Sequence, residues 1–263
     1  VTPISLGAAD LALAAALVVL DAGLSLALRL DLHRQIALAA ARMVVQLIGV
    51  GYLLRLVFAL DDPRATLVLV LAMSLVAARE VAARPEQRFR GLVTEGIGLG
   101  GVLLATAATC GLALATAIRP TPWYDPRYAI PLAGIVLGSV LNAASLTLDS
   151  LLGGVRRERA AIEAQLGLGV PFAEAVAGPV RTAVRRGLLP VINQMSAAGI
   201  ITLPGIMTGQ ILAGMDPVEA VKYQILLLFL LAGASGLAAL ATALLARRAL
   251  TDDRQRLRLD RLA

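Results

Sequence analysis

The chain has one cysteine, Cys110, one histidine, His33, and one lysine, Lys222, in 263 residues. Each scarcity removes a class of chemistry. One thiol permits neither an intrachain disulfide nor a cysteine-based zinc site. A Walker A loop, G-x-x-x-x-G-K-[ST], needs its lysine to reach the terminal phosphates of a nucleotide, and Lys222 sits instead in Ala-Val-Lys-Tyr. The chain therefore has no ATP site of that kind. His33 is unaccompanied, no G-x-S-x-G occurs and no carboxylate pair converges in a recognisable cleft, so nothing points to a hydrolase. Charge is the widest deficit. Only 16% of residues are charged and 58% are hydrophobic, against about 25% charged in soluble domains. That is too little polar surface for a soluble domain of this length, and the composition also excludes disordered, collagenous and coiled-coil classes.

What is present is long apolar runs. A hydrocarbon core of about 30 Å takes roughly 20 apolar residues per helix. The stretches Leu6 to Leu28, Ile36 to Leu60, Ala65 to Ala83, Thr94 to Ile118, Ala129 to Leu148, Leu188 to Ala213 and Ala220 to Ala246 qualify. The expected fold is an all-α integral membrane protein of about seven transmembrane helices, a single transmembrane domain over residues 1–263. Asp10 and Asp21 in the first span are costly in lipid and should face protein or water. The opening Val-Thr-Pro-Ile-Ser has neither a basic region nor a cleavage site, so no removable signal peptide is expected.

Arginine bias in the loops sets the orientation. One alternate set of loops holds Arg29 and Arg34, then Arg79, Arg84, Arg88 and Arg90, then Arg156 to Arg186, then Arg247, Arg248 and the tail. The other holds only Arg64, Arg119, Arg127 and Lys222, among Asp61, Asp62, Asp125, Asp216 and Glu219. This predicts an outside N-terminus and a cytoplasmic C-terminus. The net charge of +6 is then a record of which loops face the cytoplasm, and no nucleic-acid partner is expected. Trp123, Tyr124 and Tyr128 belong at the lipid–water interface.

The one substantial cytoplasmic feature lies between helices five and six, from about Gly153 to Gly187. A helical run from Arg156 to Leu166 ends at Gly167-Leu168-Gly169; Pro171 restarts a helix and Gly178-Pro179 interrupts it before Arg181, Arg185 and Arg186. Two short surface helices should result. They fit an amphipathic hairpin on anionic lipid or a docking knob for a cytoplasmic protein.

Glu163-Ala164, with Gly169 six residues after the glutamate, resembles the start of the coupling motif of ABC-transporter permeases. A longer pattern runs through Pro131 to Gly138, Asn142 to Leu146, Leu189 to Met195, Leu203 to Gly214, Asp216-Pro217 and Ala220 to Ile225, with Ala41 to Leu47 in the second helix. It resembles the FetB/YbbM family of ABC permeases over essentially the whole chain. Gln194 and Ser139-Val140 depart from that family's pattern, where a serine and an asparagine-containing pair are expected. The resemblance implies a permease homodimer in the bacterial inner membrane, partnered with a separate FetA-like ATP-binding subunit and associated with iron export; plant relatives are linked to aluminium tolerance. ATP and magnesium would sit on the partner, and no cofactor on this chain. The coupling segment would present Glu163, Ala164, Gly167, Gly169 and Arg181.

Intramembrane polar residues mark the candidate path. Asn142, Ser145 and Asp149 share a face of the fifth helix, extended by Ser139. In the sixth, Asn193, Gln194, Ser196, Thr202, Thr208 and Gln210 interrupt an apolar run, and Pro204-Gly205 should kink it, freeing carbonyl oxygens suited to a hard cation. Asn193, Gln194 and Gln210 fit interhelical hydrogen bonding as well as they fit a path, and Met195 and Met207 fit core packing or weak sulfur contacts. Arg42 and Gln46 lie one turn apart; Arg42 snorkels to the interface or pairs with Asp21 or Glu95. The pairs Gly134/Gly138, Gly205/Gly209 and Gly96/Gly100 are set for close helix packing. Three other readings stand beside the iron-exporting ABC permease: a stand-alone channel or secondary transporter using Asp10, Asp21, Glu95 and Asp149, an ABC permease for a non-metal cargo such as a sugar nucleotide or lipid, and a scaffold without cargo.

Overall fold

The computed structural model describes residues 7–60 and 62–262, so Leu6, the expected start of the first span, and Asp61 lie outside the described residues. The chain divides into two compact units, Val1–Asp62 and Pro63–Ala263. The first holds α1 (Ala8–Ala27) and α2 (His33–Leu60). Asp10, one of the two costly carboxylates, caps its own helix by accepting from the Gly7 amide at 2.8 Å. The turn between the helices places Arg29 and Asp31 at positive φ, and the buried Ser25 ties it by accepting from the Leu32 amide at 2.9 Å.

The second unit contains α3 (Pro63–Ala83), α4 (Val93–Leu112, prolonged by a π-helical turn Ala113–Ile118), α5 (Pro126–Arg157), α6 (Arg159–Gly167), α7 (Phe172–Ala175), α8 (Ala177–Ala197), α9 (Gly205–Leu212) and α10 (Pro217–Ala249). The two longest helices begin alike. Asp125 accepts from the Arg127 amide at 2.9 Å, and Asp216 from the Val218 and Glu219 amides at 2.9 and 3.2 Å, each ahead of a proline that has no amide to lose. α5 and α10 form the core: α5 packs against α3, α4, α8 and α10, and α10 also against α4 and α8. Leu148, Leu151 and Leu152 are fully buried with Ala234, Ala238 and Ala246.

Lipid offers helices no hydrophobic drive to associate, so small residues that let backbones approach do most of the work. The tightest place is Gly187 on α8. A β-carbon there would strike the Thr147 hydroxyl and sit 2.8 Å from the Ala143 carbonyl oxygen of α5 and 3.4 Å from Ala239 of α10. The glycines anticipated as packing pairs are used unevenly. Gly100 abuts Leu245 and Gly134 abuts Met73, whereas Gly96, Gly138, Gly205 and Gly209 face open space.

Six helices are long and apolar enough to cross a membrane among the described residues, α1 to α5 and α10. The stretch expected as a sixth of seven spans is divided instead. α8 runs through Pro190 to Ala197, seven residues are non-helical, and α9 restarts at Gly205. Gly199 turns the chain at φ +83, its amide donating to the Thr202 carbonyl at 2.9 Å. Pro204, which has no amide to donate, stands extended as the cap of α9. The expected kink is therefore a break, and its turn at Gly199 comes five residues before Pro204.

Candidate functional site

Within residues 63–262 the arginine-bearing connections meet at one end of the bundle. Arg156 donates to Gln87, the Glu86 amide to Asp149 at 3.2 Å, and Gly154 lies against Pro179. This end carries the expected coupling segment. α5 continues to Arg157, α6 ends at Gly167, and the bend beyond it has the bonding of a Schellman motif: Gly169 at φ +84 donates to Leu166 and Val170 donates to Gln165, both at 3.0 Å. Only glycine takes that φ without strain. Leu168, at the apex, is 85% exposed. Below it the segment is anchored, with Ile162, Phe172 and Val176 buried. Glu163 is exposed and paired with Arg159 at 2.8 Å, an arrangement worth about 0.3–0.5 kcal/mol. Ala164 and Arg181 are exposed. Gly178-Pro179 does not interrupt the chain as anticipated. It lies in the first turn of α8, where a missing amide costs nothing, and Pro171 caps α7 rather than opening it.

Residues 250–262 form a clasp over this end that sequence reasoning missed. Thr251 bridges Leu257, the Arg258 amide donates to Leu250 at 2.9 Å, and Asp252 accepts from the Arg254 and Arg256 amides at 3.1 and 3.0 Å. The Arg256 guanidinium, 2.7 Å from Asp252, holds that carboxyl far below the usual range. Arg258, hydrogen-bonded to Asp260 at 2.7 Å, draws the Asp260 carboxyl down to about 2. The clasp reaches two other elements. Phe89 bridges Leu262 and the Arg90 amide donates to Arg261 at 2.7 Å, while Gln255 accepts from the Phe172 amide at 2.9 Å. A cavity of about 770 Å³ separates the clasp from α6, lined in part by Glu163, Gly167, Gly169, Gln255 and Arg256. An alternation of arginine and aspartate in the tail was the only sequence signal for any of this.

The polar residues expected inside the membrane lie on several helices. Asn142 and Asp149, seven apart on one face of α5, hold the α3–α4 connection, Asn142 accepting from Arg84 at 3.1 Å and Asp149 from the Glu86 amide. Ser145, between them, is buried and its hydroxyl has no partner among the described residues. Asn193 and Gln194 are exposed on α8 and Met195 is half-buried. Met207 and Gln210 are half-buried on α9, and the Gln210 Oε1 is buried without a partner among the described residues. One further amide shares that condition: Gln224, 6% exposed on α10, whose Oε1 is also unpartnered among the described residues. It is the one amide in the otherwise uncharged run Tyr223 to Ala246 and α9 packs on its helix. Glu95 is exposed in the first turn of α4, where the helix dipole favours a carboxylate. Arg42 and Gln46 are exposed on α2, in the other unit.

The chain matches the model of an uncharacterised protein family, UPF0014, over residues 8–251. It is 41% identical over 203 residues to the UPF0014 membrane protein slr1647 of Synechocystis, covering 77% of each chain. It is 32% identical over 251 residues to the probable iron export permease protein FetB of Escherichia coli, covering 94% of this chain and 93% of the relative. To the UPF0014 membrane protein STAR2 of rice it is 34% identical over 222 residues, 84% of this chain and 76% of the relative. No solved structure matches it. Six apolar helices and a family match across nearly the whole chain make this multi-pass membrane protein a member of the UPF0014 family, the family of the FetB permease.

Proposed function

We propose that the chain is the permease subunit of an ABC transporter that exports iron from a bacterial cell across the inner membrane. A separate FetA-like subunit hydrolyses ATP with its magnesium. The carrying observation is the α6–α7 bend. Leu168 stands bare in an apolar side chain's least favourable setting, on a bend fixed by a Schellman motif and braced from beneath by Phe172 and Gln255. A rigid apolar knob among arginines fits an apolar socket on a soluble partner better than it fits water. The name of the FetB relative supports both the permease role and the cargo.

Two copies form the path. Asn193 and Gln194 are amides exposed on α8, and a second permease chain covers them. Among the described residues no three His, Cys, Asp or Glu side chains group together. The donors offered to a cation are therefore the amide oxygens of Asn193, Gln194, Gln210 and Gln224, with Met195 and Met207 beside them. Movement of the docked subunits passes to α8 directly and, through the clasp, to the α3–α4 connection held by Asn142 and Asp149.

The test is co-purification with the genomically adjacent ATP-binding subunit, followed by ATP-dependent flux of labelled iron in vesicles. Wild type should bind and transport, and Leu168→Glu should lose both. Unchanged complex formation by Leu168→Glu sinks the docking assignment, and equal flux without the ATP-binding subunit replaces it with a secondary transporter.

A further inference from the structure

We propose that the cavity between the α3–α4 connection and the arginine-rich ends of α5 and α8 binds a singly charged phosphate ester. The cavity measures about 340 Å³ and its walls include Glu86, Asp149, Ser150, Arg156, Arg157 and Arg186. Its placement follows from the Gly187 contact. That crossing draws α8 onto α5 and carries Arg186, one residue earlier, over the turn that holds Ser150.

Three features of the wall await a ligand. Ser150 lines the cavity and is 6% exposed, and its buried hydroxyl has no hydrogen-bond partner among the described residues. A buried hydroxyl left unpaired costs about 1–3 kcal/mol, which a ligand oxygen would recover. Arg157 and Arg186 border the same space with neither an ion pair nor a hydrogen bond among the described residues. Arg156 differs, since Gln87 holds it. The Arg157 guanidinium rests against Gly153, its Nη1 3.2 Å from where a β-carbon would stand, so the absent side chain makes room for the charge.

Guanidinium forks match the paired oxygens of a phosphate, and a serine hydroxyl donates to a third. The charge of the wall sets the ligand's valence. Three guanidiniums face two carboxylates, one of which, Asp149, is occupied by the Glu86 amide. That balance accommodates a monoanion and repels a polyphosphate. A phosphodiester has this charge, in a phospholipid headgroup or in a small soluble ester. Inorganic phosphate in its monoanionic form shares the chemistry.

Direct binding decides it, measured on the full chain in neutral detergent at low salt without any ATP-binding subunit, so failure of the docking reading cannot masquerade as failure here. The probes are dihexanoyl phosphatidylglycerol and inorganic phosphate, followed by native mass spectrometry and equilibrium dialysis. Wild type should hold one phosphate-bearing molecule per chain. Arg157→Gln with Arg186→Gln should weaken it at least tenfold, and Ser150→Ala and Gly153→Val severalfold. Both arginines are exposed, so the double variant should retain the wild-type melting temperature; if it does not fold, the Ser150 and Gly153 variants decide. Binding of the lipid alone assigns the site to a headgroup, and equal binding of inorganic phosphate assigns it to a soluble ligand. Binding of neither probe by wild type, or wild-type binding by the variants, overturns the proposal.

Discussion

Replacing Gly187 with alanine tests whether the α5–α8–α10 crossing depends on backbone approach. The added β-carbon meets the Ala143 carbonyl oxygen at 2.8 Å, Ala239 at 3.4 Å and the Thr147 hydroxyl closer still. The hydroxyl can turn away, but a helical carbonyl cannot, so the helices must separate. Overpacking of this kind costs about 1–3 kcal/mol. Alanine returns up to about 1 kcal/mol through its better helix propensity. A fixed carbonyl as the obstacle puts the cost at the upper end, about 2–3 kcal/mol, so after that return the net loss is roughly 1–2 kcal/mol, or a melting temperature lower by about 2–8 °C for a chain of this size. Thermal unfolding in detergent, followed by circular dichroism, reads it. Gly209→Ala is the control, because nothing lies within 4 Å of its β-carbon position. Adding Thr147→Ala to Gly187→Ala should restore only part of the loss. An unchanged melting temperature for Gly187→Ala, or complete recovery in the double variant, would refute the backbone argument.

Other outcomes follow from the same contacts. Gly169→Ala forces a β-carbon into φ +84 at a cost of about 1–2 kcal/mol, and hydrogen exchange of the 165–170 amides should accelerate while the rest of the chain is unaffected. Acid should open the clasp. Asp260 is held at about 2, below its ordinary value near 3.9, and Asp252 is also depressed, so their contribution is complete above pH 4 and lost as pH falls toward 2. Limited pepsin cleavage within 250–262 should rise through that window, and Asp252→Asn should raise it at pH 4. Gln224→Leu removes a buried carbonyl oxygen without a partner, so it should raise stability by about 1 kcal/mol while lowering iron flux; unchanged flux removes Gln224 from the path.

The sequence carried local features well and long-range ones poorly. Asp125 and Asp216 read as loop residues ahead of the fifth and last spans, and each caps the helix that follows it, because a cap acts within one turn. Gly167-Leu168-Gly169 announced the α6–α7 bend for the same reason. Close packing was another matter. The glycine pairs at 134/138 and 205/209 looked like contact faces, yet the closest crossing uses Gly187, a lone glycine after two arginines, because approach depends on what the neighbouring helix presents. Hydropathy marked Leu188 to Ala213 as one uncharged span but could not register that the helix breaks after Ala197, with Gly199 at φ +83. Asn142 and Asp149 were recognisable as one polar face, but their partners, Arg84 and the Glu86 amide, lie some 60 residues away in sequence. The clasp was illegible for that reason too, since Arg90 and Arg261 meet only after the bundle forms.

The hold of Leu262 and Arg261 on Phe89 and Arg90 also imposes a timetable. Ribosomes deliver a chain N-terminus first, at about 5–20 residues per second. The α3–α4 connection and the α6–α7 bend thus emerge, insert and wait while α10 is still being made. Until residues 250–262 follow, the bend lacks the Gln255 brace and the connection lacks its edge partner. Translation itself thereby withholds the finished arginine-rich end, and a prematurely released chain would hold its helices in place yet leave the α6–α7 bend and the α3–α4 connection without their clasp.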